Sequence, residues 1–87
     1  MKADNEKVTR LIKTARGQMD GILKMIEDDR YCIDISTQLM ATEAIMRRAN
    51  REILKAHMLC CVREAFEEGN EDEKLNEILD LVDKLSK

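Results

Sequence analysis

The apolar residues near the start of the chain form one helical stripe. They recur every three or four residues, which places them on a single face of an α-helix. The members of this stripe are Val8, Ile12, Ala15, Met19, Ile22 and Ile26. The acidic run at positions 27–29 interrupts the spacing and predicts a short turn after the first helix.

A second apolar stripe predicts an unusually long helix. It runs from about Tyr31 to Phe66 with no glycine or proline inside it, and Gly69 followed by Asn70 is typical of a helix end. A third, shorter helix is predicted with acidic residues in its first turn. The positive end of the helix dipole favours acidic side chains there. Its apolar residues are Leu75, Ile78, Leu79, Val82 and Leu85.

The length of the second helix predicts self-association. A helix of about 36 residues is roughly 54 Å long, whereas a single domain of 87 residues has a radius of gyration of about 12 Å. The apolar stripe therefore extends beyond what one chain can cover. We expect the long helices of two chains to pack side by side, most simply antiparallel about a twofold axis.

The composition agrees with a helical chain that is not an enzyme. Proline is absent, 2% of the residues are aromatic, 38% are charged and 44% are apolar, which argues against a β-barrel and a disordered tail. We expect a single domain over residues 1–87 without a signal peptide or a membrane span, because no apolar run approaches the ~20 residues that a bilayer requires. Catalytic triads, phosphate-binding glycine loops and paired-carboxylate sites all lack their residues here.

Charge is distributed unevenly along the chain. Residues 1–63 carry 12 basic and 9 acidic residues, whereas residues 64–87 carry 3 and 9. The net charge of −3 therefore hides a basic region that is compatible with nucleic-acid binding. The basic residues available for such a face are Lys7, Arg10, Lys13, Arg16, Arg47, Arg48, Arg51 and Lys55.

Three cysteines and one histidine are the candidate metal ligands. An odd number of cysteines favours thiolate chemistry in a reducing cytosol over disulfide cross-links. His57 and Cys61 are one helical turn apart on one face, close enough to share a metal ion, whereas Cys60 points about 100° away. Each cysteine taken alone is also compatible with a small buried apolar residue.

The separation of Cys32 from His57 places the predicted metal site between two chains. The two residues would be about 37 Å apart along a continuous helix, so they cannot bind one ion within a chain. In an antiparallel pair, Cys32 of one chain faces His57 and Cys61 of the other if the axis passes near Ile45 and Met46. Two thiolates and one imidazole suit Cu(I), a soft ion, better than four-coordinate Zn(II).

Several segments of the sequence resemble the copper-sensing repressors of the CsoR/RcnR family. The resemblance covers the chain from about Val8 to Leu85, and the spacing of Cys32, His57 and Cys61 is its most specific part. The other matching segments are Arg16-Gly17-Gln18, the run Asp28-Asp29-Arg30-Tyr31-Cys32-Ile33-Asp34-Ile35, and Thr37-Gln38. The resemblance implies an all-α fold of three helices per chain, in which antiparallel dimers assemble into a disc-like tetramer.

The resemblance also implies a function. A repressor of this family binds operator DNA when it is metal-free and releases the DNA when Cu(I) binds, which would derepress copper-efflux genes. The metal ligands would be Cys32, His57 and Cys61, and Tyr31 and Glu77 would be hydrogen-bonded around the ligating histidine. The DNA-contacting residues would be Lys13, Arg16, Arg48 and Arg51. We therefore expect a cytoplasmic, DNA-binding homotetramer.

Two alternatives stay open at this stage. The family also contains sensors of nickel or cobalt, of formaldehyde and of reactive sulfur; a sulfur sensor would link Cys32 to Cys61 between chains. His57 argues against the sulfur sensor, and Cys61 argues for copper over harder metals. From another class, the chain would be a helical interaction module with incidental cysteines. Cys60 lies outside the ligand pattern and is a candidate for redox or persulfide chemistry.

Overall fold

In the computed structural model of this chain, the residues that the structure describes form three α-helices. They are α1 (Asn5–Glu27), α2 (Cys32–Glu68) and α3 (Glu71–Ser86). The predicted all-α class is confirmed, and so is the long central helix, since α2 contains 37 residues.

The structure describes residues 1–69 and 71–86, without the side chains of Glu68, Glu71, Leu85 and Ser86. The predictions that concern Asn70 and the Leu85 side chain therefore lie outside the described residues. Over the described part of the chain, no helix combines the length and the apolar character that crossing a bilayer requires.

The turn between α1 and α2 is a helix cap built on an aspartate. Asp29 has a φ of 52°, the left-handed conformation that usually follows a helix. The Asp29 N–H donates to the Ile26 carbonyl at 3.1 Å and the Arg30 N–H to the Met25 carbonyl at 3.0 Å. These are the two hydrogen bonds of a Schellman motif. The turn predicted from the acidic run is thus confirmed.

Tyr31 is the N-cap of α2. Its carbonyl oxygen accepts the N–H groups of Asp34 at 3.0 Å and of Ile35 at 3.2 Å, while α2 itself begins at Cys32. An N-cap residue shares the first helical hydrogen bond without having helical dihedral angles. This explains why the predicted start at Tyr31 is one residue early. Cys32 is consequently the first residue of the helix.

Residues 5–50 form one compact unit, in which α1 packs against the first part of α2. The buried residues of α1 are spaced by seven, and they face small buried residues of α2. These buried positions are Val8, Ala15, Ile22, Thr42 and Ala49. Thr42 is only 4% exposed, and its hydroxyl donates to Gln18 Oε1 at 2.8 Å, so its buried donor is satisfied.

Half of the predicted α1 stripe is exposed in the part of the chain that the structure describes. Ile12, Met19 and Ile26 are 49%, 42% and 56% exposed. The packed positions form a narrow face of seven-residue spacing, and these three lie beside it. The wide stripe read from the sequence is therefore correct as a pattern, but one chain covers only part of it.

The second compact unit contains residues 1–4 and the chain from Arg51 onward. Here α3 packs against the second part of α2, and the buried residues are Cys61, Ala65 and Leu81. Gly69 ends α2 with a φ of 73°, and its N–H donates to the Ala65 carbonyl at 3.0 Å. The helix stop predicted at Gly69 is confirmed.

Many large apolar side chains of α2 and α3 are exposed, Phe66 most of all at 80%. The others are Ile33, Leu39, Met40, Met46, Leu59, Val62, Leu75, Leu79 and Val82. Single exposed apolar residues are ordinary, but so many on two helices are typical of a surface that packs against other protein. Self-association stays a prediction, and this exposure supports it.

Candidate metal centre

A thiol, an imidazole and a carboxylate meet between α2 and α3. Cys61 Sγ lies 3.4 Å from His57 Nε2, and Glu77 Oε1 lies 2.6 Å from the same nitrogen. Each residue offers a potential ligand atom within 4.8 Å of those of the other two. Among the described residues, this is the one group of three or more metal-binding side chains at such short range.

Helix periodicity explains how the sequence builds this cluster. His57 and Cys61 are four residues apart on α2, so their side chains lie on one face. Glu77 is one turn before Leu81 on α3, and Leu81 is buried against the rest of its unit. The apolar contact of α3 therefore directs Glu77 towards α2.

Cys61 is the most enclosed of the three side chains, with 2% of its surface exposed. Burial raises the pKa of its thiol above the ordinary value, and the hydrogen bond to Glu77 and the charge of Glu77 raise it further. The positive charge of Lys74 acts in the opposite direction. The thiol is therefore protonated at neutral pH, and a metal ion that binds there must displace a proton.

Glu77 is held as a carboxylate. Its hydrogen bond to His57 is the largest cause that lowers its pKa, followed by its hydrogen bond to Cys61. A carboxylate only accepts hydrogen bonds, so His57 Nε2 is the donor in the 2.6 Å contact. A metal ion taken by Nε2 would have to displace Glu77, whereas one taken by Nδ1 would not. The hydrogen bond expected between Glu77 and His57 is present.

A network of ion pairs continues from Glu77. Lys74 Nζ lies 3.1 Å from Glu64 Oε2 and 3.8 Å from Glu77 Oε2, and the Cys60 thiol donates to Glu64 Oε1 at 3.4 Å. The hydrogen bond with Lys74 lowers the pKa of Glu64, and the same bond raises the pKa of Lys74. Cys60 and His57 are thus connected through three charged side chains.

Lys74 and Glu64 were not predicted from the sequence. The three-residue spacing of Lys74 and Glu77 was a signal that could have found the first, because oppositely charged residues at that spacing meet on a helix. Glu64 belongs to another helix, so its pairing with Lys74 depends on how α3 packs.

Cys32 is not a member of the cluster, and its side chain is exposed at the start of α2. Tyr31 is 66% exposed. In the described part of the chain, the hydrogen-bond partners of His57 are Cys61 and Glu77, and Tyr31 is not among them. The structure therefore brings together His57, Cys61 and Glu77 from the predicted set. The metal-binding roles of all these residues stay predictions.

The predicted DNA-contacting residues are all exposed: Lys13, Arg16, Arg48 and Arg51. Arg48 lines a groove between α1 and α2 together with Lys7 and Arg10. Arg47, its neighbour in sequence, instead pairs with Glu43 at 3.6 Å on the helix surface. The structure thus separates two adjacent arginines, of which Arg48 shares a concave surface with two further cations.

The family of the chain follows from its sequence. The profile of the metal-sensitive transcriptional repressors matches residues 4–84, which include the three residues of the cluster. The chain belongs to this family. Its members are transcriptional repressors rather than enzymes, which agrees with the sequence analysis.

Curated relatives in the metal-sensitive repressor family are copper sensors. The copper-sensing transcriptional repressor CsoR of Mycobacterium ulcerans (strain Agy99) is 41% identical over 71 residues, 82% of this chain. The chain spans only 61% of that relative's length. CsoR of Bacillus subtilis (strain 168) is 34% identical over 84 residues, which are 97% of this chain and 83% of the relative.

Two solved structures of metal-responsive regulators share the fold. The nickel-responsive transcriptional regulator InrS is 26% identical with a TM-score of 0.86, over 98% of this chain and 96% of InrS. The copper-sensing repressor CsoR with Cu(I) from Geobacillus thermodenitrificans NG80-2 is 36% identical with a TM-score of 0.80, over 94% of this chain and 85% of that chain. The fold alone therefore does not distinguish copper from nickel.

Proposed function

We propose that this chain is a cytoplasmic, Cu(I)-responsive transcriptional repressor that binds operator DNA when metal-free and releases it when Cu(I) binds. Release would derepress genes for copper efflux. The observation that carries the proposal is the close approach of the Cys61 thiol to the His57 imidazole, at 3.4 Å, in a family whose curated relatives include copper-sensing repressors. The whole chain, residues 1–87, would act as one domain of a homotetramer built from two dimers.

The donor atoms fit Cu(I). A soft ion prefers thiolate and imidazole ligands, and it accepts three of them. Cys61 and His57 supply one of each within a chain, and the exposed thiol of Cys32 is available to a second copy. Cys32 of one chain would therefore complete the site formed by His57 and Cys61 of the other.

Glu77 would act on His57 rather than on the metal. Carboxylate oxygen is a hard donor that Cu(I) does not favour, and the Glu77 carboxylate already accepts a hydrogen bond from His57. This contact fixes the ring and connects it to α3. A change in the position of His57 would then be transmitted to α3 through this hydrogen bond. Tyr31 would join this hydrogen-bonded group from the second chain, next to Cys32.

DNA would be bound mainly through its phosphates. The exposed cations Lys13, Arg16, Arg48 and Arg51 occur four times over in a tetramer, which multiplies their attraction for the duplex. Such contacts position a protein on DNA, while sequence preference also depends on the shape of the duplex. By linkage, DNA must weaken Cu(I) binding by the same factor by which Cu(I) weakens DNA binding.

Nickel is the second candidate ligand. It is favoured by the likeness to the nickel-responsive regulator InrS and by the carboxylate of Glu77, which lies among the potential ligand atoms. Ni(II) accepts nitrogen and oxygen donors more readily than Cu(I) does. A Glu77→Gln variant discriminates the two ions, because it should weaken Ni(II) binding while Cu(I) binding persists.

The proposal is tested by titrating promoter DNA with the protein in the absence of metal, with Cu(I) and with Ni(II). We expect tight, salt-dependent binding without metal and a loss of affinity with Cu(I) of roughly 5- to 150-fold, the usual range of allosteric coupling. Release by Ni(II) but not Cu(I) would favour the nickel sensor. Release by a polysulfide donor alone would favour the sulfur sensor that links Cys32 to Cys61, and failure to bind DNA at all would favour a helical interaction module.

A further inference from the structure

Lys74 occupies a special position next to the candidate metal centre. Its ammonium group lies within 4 Å of two carboxylates, at 3.1 Å from Glu64 Oε2 on α2 and at 3.8 Å from Glu77 Oε2 on its own helix. The other oxygen of Glu77 accepts the hydrogen bond from His57. The two oxygens of one carboxylate thus face a histidine on one side and a lysine on the other.

The ion pair of Lys74 with Glu64 is more enclosed than two ion pairs on the helix surfaces. The Lys74 side chain is 20% exposed, whereas both partners in the pairs Arg30–Asp34 and Arg47–Glu43 are more than half exposed. Exposed pairs are screened by water and contribute little. An enclosed cation between two carboxylates has a stronger effect on where those carboxylates lie, because less solvent screens the attraction.

We propose that Lys74 is a positioning residue, which holds the Glu77 carboxylate against His57 and so sets how strongly metal binding is transmitted to α3. Without the ammonium group, Glu64 and Glu77 would repel each other across the helix contact. The Glu77 side chain is 39% exposed, so it has room to turn towards water and leave His57. The role rests on the proposed function, since it concerns the residue that would connect the metal ligand to α3.

The first experiment needs neither metal nor DNA. His57 is the only histidine in the chain, so its ring nitrogens give a single, unambiguous set of 15N NMR signals. In the metal-free parent protein, the proton should lie mainly on Nε2, which faces Glu77. In Lys74→Met, which keeps the length of the apolar stem, we expect a smaller fraction of the Nε2–H tautomer. Lys84→Met, in the last turn of the same helix, is the matched control and should leave the signals unchanged.

The second experiment measures transmission. The ratio of DNA dissociation constants with and without Cu(I) should fall in Lys74→Met by roughly 2- to 30-fold, the usual effect of residues that connect two sites. The affinity for Cu(I) should change less than in Cys61→Ala, because no ligand is removed. Lys74→Arg keeps the charge and should restore much of the ratio, while Lys84→Met should match the parent.

The results separate the role of Lys74 from the proposed function. A folded Lys74→Met protein that keeps both the His57 tautomer and the parental ratio would overturn the positioning role. If Lys74→Met does not fold, Lys74→Gln makes the same test with a neutral donor. A parent protein that keeps its DNA in the presence of Cu(I) would contradict the proposed function instead, and the metal-free NMR comparison would still decide whether Lys74 holds Glu77 on His57.

Discussion

Cys61 and Cys32 are both predicted to bind the metal, but their surroundings are opposite. Cys61 is 2% exposed, lies 3.4 Å from His57 and belongs to a hydrogen-bonded cluster that includes Glu77. Cys32 is exposed at the first residue of α2, and the positions around it are set by the backbone hydrogen bonds of Asp29 and Tyr31.

The difference shows which half of the candidate site is preorganised. A ligand pair held in place by packing loses little freedom when a metal binds, whereas an exposed side chain must be ordered at that moment. Cys61 and His57 therefore provide the prepared half. Cys32 suits the role of the ligand that arrives from another chain, and its capture would be the step that changes the relation between chains.

The largest expected effect is the loss of Cys61. Cys61→Ala removes a thiolate from the prepared half, so Cu(I) affinity should fall by more than about 100-fold, because even residues that only support metal ligands are worth about 10- to 100-fold. A competition titration with a chromophoric Cu(I) chelator measures it. Cys60→Ala is the matched control, since Cys60 is bonded to Glu64 and lies outside the cluster. Equal losses in both variants would contradict the distinction between these adjacent thiols.

Glu77→Ala should separate binding from signalling. The variant keeps Cys61 and His57, so most of the Cu(I) affinity and of the metal-free DNA affinity should persist. Release of DNA by Cu(I) should be blunted, because His57 loses its contact with α3; the coupling at stake is typically about 5- to 150-fold. The measurement is a DNA titration with and without Cu(I). If Cu(I) released DNA from the Glu77→Ala variant as fully as from the parent, metal binding at His57 and Cys61 would be transmitted without the contact between His57 and Glu77.

Arg48 and Arg47 should differ on DNA although they are adjacent. Arg48 lines a groove with Lys7 and Arg10, whereas Arg47 is paired with Glu43. Arg48→Ala should weaken metal-free binding and reduce the slope of log K against log salt by about 0.9 per phosphate contact removed. Arg47→Ala should have a smaller effect on that slope. The two salt series, taken on the same promoter fragment, measure the difference, and equal slopes would be evidence against a role for the groove.

The smallest expected effect concerns the turn before Cys32. Asp29 has a φ of 52°, a conformation that glycine adopts without strain, so Asp29→Gly should raise the stability of the metal-free protein by roughly 0.5–1 kcal/mol. Chemical denaturation of both proteins at one concentration measures it. Cu(I) affinity should stay unchanged, because backbone hydrogen bonds already fix the start of α2, where Cys32 lies. A destabilised variant would mean that the Asp29 side chain makes a stabilising contact.

Much of the fold could be predicted from the sequence because the periodicity and the ends of a helix are determined by residues that are near in sequence. Each of these signals depends on residues that are close together in the sequence, and the structure agrees with each of them. They are the spacing of Val8, Ala15 and Ile22, the acidic turn, and Gly69. What the pattern did not reveal is which apolar residues one chain can cover. Ile12 and Met19 belong to the same stripe as Ala15 and yet are exposed, because burial depends on the shape of the neighbouring helix.

The candidate site likewise contains residues that local spacing predicts and residues whose role depends on how the helices pack. His57 and Cys61 could be paired from their spacing, since one helical turn brings them together. Glu77 required the family resemblance, because its position opposite His57 depends on how α3 packs. Lys74 could have been paired with Glu77 from their three-residue spacing, but its pairing with Glu64 depends on the distance between two helices. The contribution of Cys32 depends on a second chain and stays a prediction.

The most direct test of a site shared between chains mixes two defective proteins. One carries Cys32→Ala and the other carries His57→Ala with Cys61→Ala, so neither can build a complete site with its own copies. In a mixed dimer, one of the two sites contains Cys32, His57 and Cys61 intact. Native mass spectrometry with Cu(I) titration should therefore show one tightly bound ion per mixed dimer, against two for the parent. Mixed dimers that form but bind no Cu(I) tightly would contradict the account.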